Sequence, residues 1–149
     1  MTSVTTTKRE RERLVRSATL VWAGARAALG VVALTEPARV SRPWIGDDAD
    51  VTGNRVFARA LGGRDLALGA GALYAAARGE GVRPWLLGSA AADLGDTVVT
   101  LSYWSRLPPG RRAFIATLTA GSTLTGLALT LATPRHPSRG PQTPATRSR

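Results

Sequence analysis

Residues 113–134, AFIATLTAGSTLTGLALTLATP, contain no charged side chain. A run of this length meets the criterion for a bilayer span, roughly 18 or more apolar residues. Three further segments share its Ala, Leu, Gly, Val and Thr character, but each carries charge inside it. The first, 14–35, contains Arg26, and the second, 54–78, contains Arg64 and Asp65, with Arg59 nearer its end. The third, 84–106, contains Asp93 and Asp96.

All four read as helices, and none alternates with the period of two that marks strands. Pro37 follows the first as a stop. Asn54 is an N-cap residue for the second and Gly79 its C-terminal stop. Pro84 suits the first turn of the third, which ends before PPG at 108–110. The fourth covers 111–133 and ends at Pro134. No internal repeat of 20–50 residues is present. The fold expected is all-α.

The internal charges decide between a soluble bundle and a membrane bundle. Two aspartates at the centre of a lone span cost roughly 5–7 kcal/mol, and each Leu or Val returns only about 0.3–0.6. The third helix therefore crosses a bilayer only if partners neutralise its carboxylates. Three features favour that arrangement. Aromatics stand at the ends of spans: Trp85 opens the third, Tyr103 and Trp104 close it, and Phe57 and Tyr74 bracket the second. From Trp85 to Trp104 is about 28 Å of helix, close to one hydrocarbon thickness. The internal charges all lie near mid-helix, so antiparallel neighbours bring opposite signs to one level. Finally, Lys8 is the only lysine and no Glu lies between Glu36 and Glu80, so a soluble bundle lacks the polar outer faces it requires. The sequence thus predicts an antiparallel bundle of four transmembrane helices over 14–133.

The ends differ in composition. Segments 1–13 and 134–149 are polar, basic and poor in large apolar residues, and are expected to be disordered. They pull the mean hydropathy to −0.03 and supply much of the net charge of +10. With both ends on one side, that side holds eleven basic residues against six on the other. The positive-inside rule then places both termini in the cytoplasm and the protein in the inner (plasma) membrane. The first helix is read as a retained span rather than a signal peptide, since Arg26 interrupts it. KRERERLVR (8–16) sits where it can attract anionic lipid headgroups, although its plain role is to set orientation. No basic-aromatic interleaving or recognition-helix pattern supports nucleic acid as a partner.

Many chemistries are excluded by composition. With no Cys, disulfides, thiolate nucleophiles and Cys-ligated zinc are out. The only His is His136, in the C-terminal tail, so no His-based triad lies within the fold. No cofactor or resident metal is expected, and the chain is not read as an enzyme. The pair Asp93 and Asp96 is similar to the DxxDGxxAR signature of lipid-headgroup transferases. It lacks the Gly and the Ala-Arg, however, and two carboxylates alone make a weak Mg²⁺ site.

On the third helix Ser89, Asp93, Asp96, Thr100 and Tyr103 recur at intervals of three and four, which places them on one face. Leu87, Leu94, Val98 and Leu101 occupy the other side. The expected partners of the aspartates are Arg26 and Arg64, whose guanidinium forks bind both oxygens of a carboxylate. Two bases face three acids, counting Asp65. The remaining acid is open to a proton, to Ser89 or Thr100, to Arg59, or to a bound species. The preferred reading is structural: the cluster holds helices whose lipid faces carry no instructions for assembly, as in a scaffold or subunit of a membrane assembly. The alternative is a proton- or cation-coupled transport site.

Small residues four apart, Ala23 and Ala27, Gly24 and Ala28, Ala67 and Gly71, Gly88 and Ala92, allow close helix approach. They are assigned to packing within the chain in preference to a dimer face, although an oligomer or a membrane-protein partner is compatible with them. Residues 36–53 read as a solvated acidic loop whose Trp44 and Ile45 dip into the interface. Over about 20–130, RALGGRDLALGAGALYAAA and LLGSAAADLGDTVV resemble small four-helix bacterial membrane proteins of domain-of-unknown-function families. That resemblance implies the fold and carries over no activity.

Overall fold

A computed structural model describes residues 2–134, with side chains from Thr7 onward. Among them there are five α-helices and no strand: α1 (Thr2–Thr35), α2 (Pro37–Ile45), α3 (Thr52–Arg78), α4 (Arg83–Ser102) and α5 (Arg112–Ala132). Short 3-10 turns at Gly46–Asp50, Trp104–Arg106 and Pro109–Arg111 complete the connections. At 1.5 Å per residue the four long helices measure from about 30 Å for α4 to about 51 Å for α1. Segments within Thr7–Thr35 and Pro109–Ala132 are long and apolar enough to cross a membrane. α1 thus meets the criterion despite Arg26, whereas sequence reading credited only the last helix.

α1 packs chiefly on α3, and α4 on α5. The α1–α3 contact is backbone against backbone. A Cβ added to Gly69 would lie 2.6 Å from Ala27 N and 2.8 Å from Ala23 O. One added to Gly62 would lie 2.7 Å from Ala33 Cβ and 2.9 Å from Gly30 O. Gly30, in turn, lies directly against Gly62 and Leu66. The two pairs meet near the α3–α4 connection, where the Trp85 ring lies on Gly71 and Leu68 touches Gly88. The apolar core sits at this end: Ala23, Ala72, Ala75, Ala76, Val82, Leu86 and Leu129, with Leu20, Trp22 and Leu73 packed against it.

Several expectations need correction. The segment 1–13, expected to be disordered, is helical from Thr2; its Lys, Arg and Glu residues are good helix formers, and Glu12 stands four before Arg16 in the favourable order. Residues 36–53 are not a bare loop. Pro37, with its fixed φ, starts α2, and Arg42 and Arg55 both bind Asp50, at 2.5 and 3.1 Å, to fold the turn that follows. Asn54 does not cap α3. Val51 occupies that position, and Asn54 Nδ2 donates to Asp48 O across 2.8 Å. Gly79 ends α3 in the left-handed conformation, with φ of 70°, the conformation glycine adopts without strain. α4 stops at Ser102, before Tyr103, and Trp104 lies in a 3-10 turn. The tail from 135 onward lies outside the described residues.

Candidate functional site

The charges inside α1, α3 and α4 converge. Arg26 of α1 is 8% exposed and Asp93 of α4 is 6% exposed. Arg26 Nη1 donates to Asp65 Oδ1 at 2.8 Å, and its Nη2 donates to Asp93 Oδ1. Arg64 of α3 forms a two-pronged bond with Asp96: Nη1 to Oδ1 at 3.1 Å and Nη2 to Oδ2 at 2.7 Å. Arg64 Nε also reaches Asp65 Oδ1 at 3.2 Å. Asp65 thereby joins both guanidiniums, and one continuous network links α1, α3 and α4. The Trp22 ring, four residues before Arg26, lies 5.1 Å from the Arg26 guanidinium carbon, within cation–π range.

Sequence reading missed what α5 contributes. Ser122 donates its hydroxyl to Asp93 Oδ2 at 2.6 Å, so Asp93 is held from two helices. Next to this bond, Thr97 Oγ1 donates to Asp93 O at 2.7 Å and lies 3.2 Å from Thr123 Oγ1. Ile115, Thr119, Thr123, Gly126 and Thr130 form the buried side of α5, spaced at three and four. That spacing was visible in TLTAGSTLTGLALT but was masked by the overall apolarity of the run. The buried hydroxyls of α5 bond back to their own helix, as Thr123 to Thr119 O and Thr130 to Gly126 O, which satisfies them away from water.

The predicted face of α4 divides. Ser89, Asp93 and Thr100 are buried and Asp96 is half-buried, whereas Tyr103 is exposed. Tyr103 falls outside the helix, where the 3.6-residue period no longer governs it, and stacks with Arg106. Ser89 and Thr100 do not serve the aspartates. Ser89 Oγ is fully enclosed with no hydrogen-bond partner among the described residues. Arg59 also stays apart from the cluster, with its Nε donating to Leu34 O at 3.1 Å. Leu87, Leu94, Val98 and Leu101 are exposed on the other side of α4.

The Arg64–Asp96 pair differs from Arg26–Asp93. Its side chains are 30% and 40% exposed, against 7% and 8% for Arg26 and Asp93. The network holds two guanidiniums and three carboxylates, with no group of His, Cys, Asp and Glu arranged to hold a metal among the described residues. It links α1, α3, α4 and α5 by side-chain bonds, and the Arg64–Asp96 pair is its most exposed part. Comparison with known proteins finds no matching family model, no matching curated protein and no matching solved structure.

Proposed function

We propose that this chain is an integral protein of the inner membrane, an antiparallel bundle crossing it four times through α1, α3, α4 and α5 with both termini cytoplasmic. We further propose that it acts as a scaffold or subunit of a membrane assembly rather than as an enzyme. One observation carries the reading: a charged and hydroxyl-bearing cluster is buried while large apolar side chains cover the outside. Arg26, Asp93, Thr97, Thr123 and Thr130 are buried, while Val21, Leu29, Phe57, Leu87, Leu94, Val98, Phe114, Leu124 and Leu131 are exposed around the outside. A water-soluble protein of this size rarely shows large continuous apolar patches, and a charged core beneath them has no stabilising logic in water. In lipid both features follow from the solvent.

α3 and α4, too charged to insert as lone spans, become affordable once Asp65, Asp93 and Asp96 are neutralised by Arg26 and Arg64. Since lipid tails solvate apolar side chains as well as neighbouring helices do, polar bonds and close backbone contacts must select the partner helix. The cluster and the α1–α3 glycine contacts fit that task. The excess of one carboxylate and the partial exposure of Asp96 support a second reading, a proton- or cation-coupled site at Asp96.

Alkaline carbonate extraction of membranes from cells expressing the chain tests the first reading. The protein is expected in the resistant pellet; a folded monomer in the detergent-free soluble fraction would refute it. For the second, Asp96→Asn in a bundle that still folds abolishes ion-driven flux in vesicles if the carboxylate carries it. Unchanged flux, or none in the parent protein, leaves the scaffold reading.

A further inference from the structure

We propose that the α3–α4 face bearing the Arg64–Asp96 pair is the contact surface between two copies of this chain. The inference rests on the membrane reading. On the outer surfaces of α1 and α5, lipid is met by bulky side chains such as Val21, Leu29, Phe114, Leu118, Leu124 and Leu131. The edge between α3 and α4 departs from this in two independent ways. It leaves an ion pair 30% and 40% exposed near the middle of both helices, and charged groups at that depth face protein or a water-filled cavity rather than hydrocarbon. It is also flanked by Ala60, Gly63 and Ala67 on α3 and by Ala91 and Gly95 on α4, at helical intervals of three and four, with exposed Val56 and Val99 continuing the two rows at either end. A Cβ built on Gly63 or Gly95 meets nothing within 4 Å, so the chain itself does not use the close approach these residues permit.

Charge selects the occupant. Arg64 lies on one side of this face and Asp96 on the other, at one depth. A two-fold axis along the membrane normal exchanges left and right while keeping depth and topology, so it brings Arg64 opposite the second copy's Asp96, and Asp96 opposite its Arg64. The face is therefore complementary to itself, the condition for a closed two-fold contact. The pairing closes a ring of alternating charges and removes both from lipid. Small residues around it let the backbones approach.

The absence of native cysteine makes the test direct. Two differently tagged chains, one Gly63→Cys and the other Gly95→Cys, are co-expressed and their membranes oxidised with copper phenanthroline. A second pair carries Leu124→Cys, on the exposed face of α5. A disulfide-linked species bearing both tags, at about twice the 15.6 kDa chain mass, is expected for the first pair and not for the second. Equal or absent linkage, with the chains in the carbonate-resistant pellet, would overturn the dimer while leaving the membrane reading intact. The face would then be covered by water or a lipid headgroup. Chains recovered in the soluble fraction would overturn the membrane reading, and the dimer with it.

Discussion

Replacing Gly69 with alanine should loosen the whole α1–α3 contact, although the change adds a single methyl group. The new Cβ would stand 2.6 Å from Ala27 N, 2.8 Å from Ala23 O and 2.9 Å from Ala27 Cα. Unstrained contacts of this kind lie at about 3.5–4.0 Å. The obstructing atoms are backbone atoms of α1, so no rotamer change relieves them, and the helices must separate by roughly 1 Å. Arg26 Nη1 and Asp65 Oδ1, 2.8 Å apart across the same interface, would then pass beyond hydrogen-bonding distance unless both side chains rearrange.

Overpacking of this kind costs about 1–3 kcal/mol. The better helix propensity of alanine returns about 0.5–1 kcal/mol. The net expectation is a loss of up to about 2.5 kcal/mol. Gly24→Ala, on the opposing helix with nothing within 4 Å of its added Cβ, gains the propensity without the clash and should be neutral or stabilising. Both are read by unfolding the detergent-solubilised protein with increasing sodium dodecyl sulfate, followed by tryptophan fluorescence. Equal stability of the two variants, or a Gly69→Ala protein firmer than its parent, would refute the close backbone contact.

Other outcomes follow from the charge network. Asp93→Asn leaves buried Arg26 with Asp65 alone and should cost about 3–5 kcal/mol; in combination with Arg26→Gln it should recover part of that in the same unfolding assay, and strict additivity would argue against the pair. Ser122→Ala removes one hydrogen bond to a carboxylate and should cost about 1.5–3 kcal/mol, while Thr125→Ala, whose hydroxyl faces outward and bonds only to Gly121 O, should change little. Asp50→Asn weakens the exposed pairs with Arg42 and Arg55 and should cost no more than about 1 kcal/mol, fading as salt is raised.

How far the structure was legible in the sequence depends on the kind of signal. The four long helices announced themselves through long stretches rich in Ala, Leu, Gly and Val, only the last of them free of charge, and through Gly79, Pro37 and Pro134, whose backbone properties act locally. The cluster was legible as well, because a charge at mid-helix in an apolar run needs an opposite partner and few were on offer. What escaped was the contribution of uncharged residues. Of the small residues picked out by spacing, Ala23 and Ala27 do meet Gly69 and Gly71 does meet Trp85, whereas Gly24 meets nothing, and Gly30, which spacing did not single out, lies against Gly62 and Leu66. Spacing records which residues share a face, and cannot record which face turns to a neighbour. α2 escaped for a different reason: a nine-residue helix containing Pro43 has no sustained period to detect, and long-range bonds such as Arg111 Nη1 to Arg42 O at 3.1 Å tie it in place.

α4 is the joint of the molecule. α1 and α3 hold each other through glycine and alanine backbone contacts that need no charge, and α4 and α5 hold each other through Thr97, Thr123, Asp93 and Ser122. Between the two pairs the contacts are fewer, and there Arg26–Asp93 and Arg64–Asp96 span the gap. In lipid, an apolar α4 could slide or turn against α3 with little change in energy, since tails and side chains are equivalent neighbours. Placing both carboxylates on α4 and both guanidiniums on the other pair removes that freedom. A displacement of one helical turn, about 5.4 Å, breaks both pairs at once, so on the proposed membrane reading the aspartates set the register of the two halves as well as their affinity.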